Sequence, residues 1–193
     1  KKAYHIVPAE ELNKITDSIH HEGIAILAKE KEEIPLPSNL PKAPLIYLDG
    51  VENPHNLGAI IRTAAHFGSP FLLGEKGKLP PLSPSAYRIA KGGAESLQII
   101  HLNDPIKTLR VLKEKGFTII STSSHKGASL YATVLPEKAI FILGAESTGV
   151  TKELNKLSSL FINIPGTGEV ESLNVSVATG LLLGEYRRQH PLC

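Results

Sequence analysis

A chain of 193 residues with 41% hydrophobic and 21% charged residues has the make-up of an ordinary globular protein, long enough for one main core and a small appendage. The net charge of +2 neither implies nor excludes a nucleic-acid partner, because a local basic patch fits inside a balanced total. The single Cys, Cys193, excludes an intrachain disulfide framework and a Cys-based zinc site. The longest apolar runs are too short to span a bilayer and no signal-peptide pattern opens the sequence, so a cytoplasmic protein is expected. Met is absent, the initiator included, as expected of a fragment or of a sequence that has lost modified Met residues.

In chain order, AEELNKITDS reads as a short helix with apolar contacts at Leu12 and Ile15. HHEGIAILAK reads as a turn and a strand, and IPLPSNLPKAP (Ile34–Pro44), with four prolines in eleven residues, as an extended linker. From Leu45 the pattern alternates. LIYLD is a strand, and Asn56–Phe67 a helix with Leu57, Ile60, Ile61, Ala64 and Ala65 on one face. FLLG is a short strand, SPSAYRIAKGG a short helix stopped by its glycines, and LQIIHL a strand. DPIKTLRVLKEKG carries helix signals at both ends: Asn103 or Asp104 as cap, Pro105 in the first turn, Gly116 as terminator. FTIISTS, AIFILG and LFINIP are further strands, and Asn174–Gln189 is a closing helix. Strands alternating with helices predict an α/β fold with a mostly parallel sheet flanked by helices.

Three stretches carry candidate chemistry. Ile162–Gly184 (INIPGTGEVESLNVSVATGLLLG) places a Pro and glycines after an apolar run, then a polar cluster, then an apolar helix. A strand, a tight loop and a helix start can grip a small molecule through backbone groups alone. GAESTGVT has the glycine spacing of a phosphate-binding P-loop, with Thr151 at its last position, but Val150 stands where that loop needs Lys, so a nucleoside-triphosphate site is rejected. No dinucleotide fingerprint follows a strand. His20–His21 lack a third ligand at suitable spacing, so no metal is expected. The third stretch, NPHNLGAIIRTAAHFG (Asn53–Gly68), sets Asn56, Gly58 and Arg62 in an N-x-G-x-x-x-R pattern. Taken singly, each motif has a plain reading: Asn56 and Asn174 as helix caps, Arg62 as an exposed helix residue, Glu146 as a solvated loop acid, Ile164 and Leu173 as core.

Together and in this order, Asn53–Gly68, FILGAESTGV (Phe141–Val150) and Ile162–Gly184 resemble the signatures of the SpoU/TrmH family of RNA ribose 2′-O-methyltransferases, in the SPOUT superfamily. The resemblance runs from Leu45 to about Gln189. It implies a SPOUT domain over 45–193 with a C-terminal trefoil knot, a feature sequence physics alone disfavours. It casts residues 1–33 as the tail of an N-terminal RNA-binding domain related to ribosomal protein L30e, with 34–44 as the Pro-rich linker. The implied reaction moves a methyl group from S-adenosylmethionine to a ribose 2′-OH of rRNA or tRNA, in a homodimer. Matching positions give Arg62, Asn56, Glu146, Ser172 and Asn174 as catalytic candidates, and Thr122, Gly144, Ile164 and Leu173 as cofactor contacts. A charged Arg62 suits phosphate binding and alkoxide stabilisation, and whether it also removes the proton stays open. Lys91, Arg88 and Arg62 are candidates for a phosphate-binding strip. The closing helix (Val175, Ala178, Leu181, Leu182, Leu183, Tyr186) offers an apolar surface wider than one packing stripe needs. The rival reading is a non-catalytic RNA-binding or ribosome-assembly protein on the same fold.

Overall fold

The computed structural model describes residues 4–27, 29, 32–124 and 126–192, so Cys193 lies outside the described residues. The chain divides into two compact units, Lys1–Glu32 and Glu33–Cys193.

In the first unit, helix α1 (Ala9–Thr16) ends on Asp17 in the left-handed region and buries no residue. The apolar contacts expected of it are weak: Leu12 is half-buried and Ile15 is exposed. His21 tethers the turn that follows. Its Nδ1 accepts the Gly23 N–H at 2.9 Å, which leaves Nε2 to donate to Asn13 Oδ1 at 2.9 Å. The strand expected after this turn does not form. Ile24, Ile26 and Leu27 are exposed, and among the described residues no neighbouring strand pairs their backbone.

The second unit is a seven-stranded sheet in the order β3-β2-β1-β6-β4-β7-β5, and every pair in it is parallel. Its strands are β1 (Leu45–Asp49), β2 (Phe71–Glu75), β3 (Gln98–Leu102), β4 (Thr118–Thr122), β5 (Ala128–Ser129), β6 (Ala139–Gly144) and β7 (Leu160–Asn163). The central strands are apolar on both faces because both are covered. Ile46, Leu48, Phe141 and Leu143 face one core with helices α2 (Pro54–His66), α3 (Pro84–Ala90), α4 (Gly93–Ser96) and α7 (Val175–Gln189). Leu45, Tyr47, Ile140 and Ile142 face the other, with α5 (Pro105–Glu114) and α6 (Lys152–Leu157).

Local chemistry sets the helix ends. Asp104, not Asn103, caps α5 by accepting the Lys107 N–H, with Pro105 in the first turn. Ser83 caps α3, and the glycine stop after it is a pair of left-handed residues, Lys91 and Gly92, before the short α4. The Pro-rich segment before β1 has no regular structure, as its prolines require, yet it is no free linker. Leu40 and Ala43 are buried, and the Pro44 carbonyl accepts the buried Ser69 hydroxyl at 2.7 Å. β5, α6 and a 3-10 turn at Leu130–Ala132 are additions to the elements expected from sequence.

Helix α7 uses most of the apolar surface expected to serve association. Val175, Leu182, Leu183 and Tyr186 are buried in the core, which leaves Val177 and Leu181 exposed. Its C-terminal turn grips the segment leading into β6. Tyr186 donates to the Glu137 carbonyl at 2.5 Å, while Gln189 donates to the Thr133 carbonyl at 2.9 Å and accepts the Leu135 N–H at 2.8 Å. Gln189 also donates to Glu185, whose carboxylate takes two bonds from Arg188, at 2.7 and 2.8 Å. The Arg188 guanidinium first, and the Gln189 amide second, pull the Glu185 pKa down to about 2. This contribution to stability is therefore complete above the ordinary carboxylate pKa of 4.5 and is lost as pH falls from there through about 2. In thermal melts followed by circular dichroism, Glu185→Gln will show a shallower loss of Tm across that window than the parent chain.

Candidate active site

In an open parallel sheet, ligands meet the loops that leave the carboxyl ends of the strands. Three such loops, after β1, β6 and β7, hold most of the candidate residues.

After β1, Gly50 turns the chain in the left-handed region and Asn53, not Asn56, caps α2 by accepting the His55 N–H at 2.9 Å. Asn56 therefore lies inside the first turn with its side chain available for other work. After β7, Asn174 is the cap of α7: its Oδ1 accepts the Ser176 N–H at 2.9 Å and the Ser176 hydroxyl at 2.6 Å. That leaves its Nδ2, which donates to Asn56 Oδ1 and to Glu146 Oε1, each at 3.0 Å. Asn56 Nδ2 closes the triangle on Glu146 Oε1 at 3.4 Å. All three residues lie close to solvent, with Asn174 and Glu146 drawn from loops and Asn56 from a helix start. A carboxylate facing two amides gives a polar cluster that can orient a sugar hydroxyl.

The turn after β6 is a close backbone approach. The chain doubles back so tightly that a Cβ on Gly144 would collide with the Gly149 backbone, and the Gly149 N–H returns to the Ala145 carbonyl at 2.8 Å. Only glycine fits at Gly144. Asp49, at the end of β1, holds the far side of this turn by accepting the Thr151 N–H at 2.7 Å. Sequence reasoning missed Asp49. Its signal was an acid closing an apolar strand just before a glycine.

The remaining candidates are scattered more widely. Thr122 ends β4 and spends its hydroxyl on the Ile142 carbonyl at 2.9 Å. Ile164 is half-buried against the α2-side core. Leu173 is not core but 46% exposed, with Val170 at 73% on the same loop, so two apolar side chains stand open on the loop after β7. Exposed Leu173 and Val170, the glycine-rich loop 164–173 and the Gly144 turn suit an adenine-bearing cofactor held by backbone atoms. Ser172 is exposed and has no hydrogen-bond partner among the described residues. Among the described residues no three His, Cys, Asp or Glu side chains group as a metal site would need, and no helix is long and apolar enough to cross a membrane.

Arg62 stands apart from the Asn56–Glu146–Asn174 triangle. It is exposed, lies six residues along α2 from Asn56, and lines an open groove of 640 Å³ with His66, Lys91, Gly93 and Ser96. Glu146 bridges Asn56 and Asn174 and has no hydrogen bond or ion pair with Arg62 among the described residues. Replacing Asn174 by Ala removes the cap and costs about 1 kcal/mol in urea denaturation. Asn174→Asp keeps an acceptor for the cap but sets a second carboxylate against Glu146. Its deficit relative to the parent will shrink as pH falls into the carboxylate range.

The model of the SpoU rRNA Methylase family matches residues 43–184. The chain is 37% identical to the uncharacterized tRNA/rRNA methyltransferase YfiF of Escherichia coli O157:H7, over 98% of its own length and 56% of that protein's. It is 36% identical to the 23S rRNA (guanosine-2′-O-)-methyltransferase RlmB of Neisseria meningitidis serogroup B, over 95% of its own length and 76% of that protein's. Among solved structures, it superposes on the A. aeolicus TrmH/SpoU tRNA modifying enzyme with a TM-score of 0.71 at 30% identity, covering 78% of this chain and 76% of that one. The AdoMet-bound rRNA methyltransferase from Sinorhizobium meliloti gives a TM-score of 0.76 at 27% identity, over 85% and 63% of the respective chains. With the family model spanning all three loops and a relative at 36% identity, the chain belongs to the SpoU rRNA methylase family.

Proposed function

We propose that this chain transfers a methyl group from S-adenosylmethionine to a ribose 2′-OH of rRNA or tRNA. The observation that carries the reading is the Asn56–Glu146–Asn174 triangle, in which residues from three separate signatures meet at the carboxyl edge of the sheet. Bound S-adenosylmethionine would supply an electrophilic methyl on a sulfonium, and Gly144, Ile164, Leu173 and the end of β4 at Thr122 are the positions suited to hold it. The protein's own task is positioning and electrostatics. A ribose hydroxyl is a poor nucleophile until its proton is drawn away. The amides of Asn56 and Asn174, fixed by Glu146, orient the sugar, and exposed Ser172, two residues before Asn174 in the chain, is a further candidate contact. The guanidinium of Arg62 acts on the neighbouring phosphate and on charge developing at the 2′-oxygen.

Four further parts of the reading have support of different kinds. β7 is inserted between β4 and β5, both earlier in the chain, and this non-sequential order is compatible with the trefoil knot. Exposed Val177 and Leu181, one helical turn apart on α7, favour a homodimer contact. The compact unit at Lys1–Glu32, with its tethered His21, suits the tail of an L30e-like RNA-binding domain, and an RNA substrate suits a cytoplasmic place of action.

Calorimetric titration with S-adenosylmethionine tests the cofactor. Micromolar binding is expected, and no binding by the folded chain would favour a non-catalytic RNA-binding scaffold. Arg62→Ala should lower methyl transfer by at least ~10²-fold while leaving S-adenosylmethionine affinity nearly intact. Transfer at the parent rate would remove Arg62 from the reaction.

A further inference from the structure

The groove beside Arg62 is built by close backbone packing. Gly58 of α2 sits against the Ala86 carbonyl of α3, and Gly93 of α4 against the Arg62 Cα, where any Cβ would be crowded. These two contacts bring the α3–α4 turn alongside α2. The turn carries Lys91 in the left-handed region, followed by left-handed Gly92, and so sets the Lys91 side chain on the groove opposite α2. On the α2 side stand Arg62 and His66, one helical turn apart on the same face. The lining is completed by Thr63, Ala65, Phe67, Ala90, Gly93 and Ser96, and it includes no carboxylate. The side chains of Arg62, His66 and Lys91 have no hydrogen-bond or ion-pair partner among the described residues.

The groove is open and its basic residues are exposed. A small anion is held best by enclosed, desolvated donors, whereas exposed basic groups along an open path suit a chain of phosphates. We infer that the groove between α2 and the α3–α4 turn carries the sugar-phosphate backbone of RNA flanking the modified nucleotide, with His66 and Lys91 as phosphate contacts beyond Arg62. The inference rests on the methyltransferase reading for its orientation. The path leaves the Asn56 end of α2, passes Arg62 and runs out toward His66. These contacts fix register and affinity and read no sequence.

The test is fluorescence anisotropy of a fluorescein-labelled oligouridine over a range of salt concentrations. The double variant His66→Gln/Lys91→Gln is compared with Lys107→Gln/Arg110→Gln, which alters α5 on the opposite face of the sheet. All four side chains lie at the surface, and melting curves of both variants should match the parent. The groove variant should weaken binding by about tenfold and lower the salt slope by about 1 to 2, while the α5 variant leaves both near the parent values. Equal effects of the two variants, or no effect of either, would overturn the inference. Binding of S-adenosylmethionine to the groove variant, measured separately, should equal that of the parent. Its absence in the parent would sink the methyltransferase reading and leave the anisotropy result to decide the groove by itself.

Discussion

Everything at the candidate site depends on all seven strands running the same way. A parallel sheet must be crossed over by helices and covered on both faces, and its strands are therefore apolar nearly throughout. Polar chemistry is excluded from the strand interiors and pushed to their carboxyl ends. There β1 and β6 are direct neighbours, with Asp49 in register with Gly144, so the two loops that leave them start side by side. Asp49 fastens the turn after β6, and the sharp reversal at Gly144 keeps that turn low enough for Glu146 to meet Asn56.

Helix α7 supplies the third side and does so as a strut. At its start Asn174 divides one amide between two tasks, the oxygen capping the helix and the nitrogen joining the cluster. At its far end Tyr186 and Gln189 take backbone groups of residues 133–137, and Arg187 donates to the Phe67 and Gly68 carbonyls at 2.6 and 3.2 Å. Between them Leu182 and Leu183 are fully buried. The helix is thus tied to the approach of β6 and to the exit of α2, the same two elements whose opposite ends supply Glu146 and Asn56. The geometry of the triangle is set by a helix held at both ends.

Much of this architecture is written in the sequence at short range. The apolar runs of β1, β2, β4 and β6, the cap and terminator of α5, and the cap of α7 each follow from a few adjacent residues. What escaped was long-range or depended on missing neighbours. β5 is two residues long and exists only because β7 pairs with it. Asp49 bonds a backbone N–H far along the chain, and no local pattern announces such a partner. Asn56 looked like a cap because the true cap, Asn53, precedes a Pro that already serves as the first helical residue. Ile24–Leu27 has strand composition, but composition forms no strand without a partner edge. For the site, the three signatures were legible as a resemblance, whereas the separation of Arg62 from the triangle is a matter of helix pitch and packing that no sequence pattern encodes locally.

The position of β7 also dictates an order of assembly. Ile162 is the register partner of Thr122 on one side and of Ala128 on the other, so β5 has nothing to pair with until β7 arrives. Strands β1, β2, β3 and β6 can find one another among residues already made, but the loop bearing Leu173 and the cap Asn174 follow β7 in the chain and cannot settle before it. During synthesis from the ribosome, a growing chain therefore passes through stages with a sheet and no site. The triangle is completed as one of the last events of folding, and such a late, non-local step is expected to be slow.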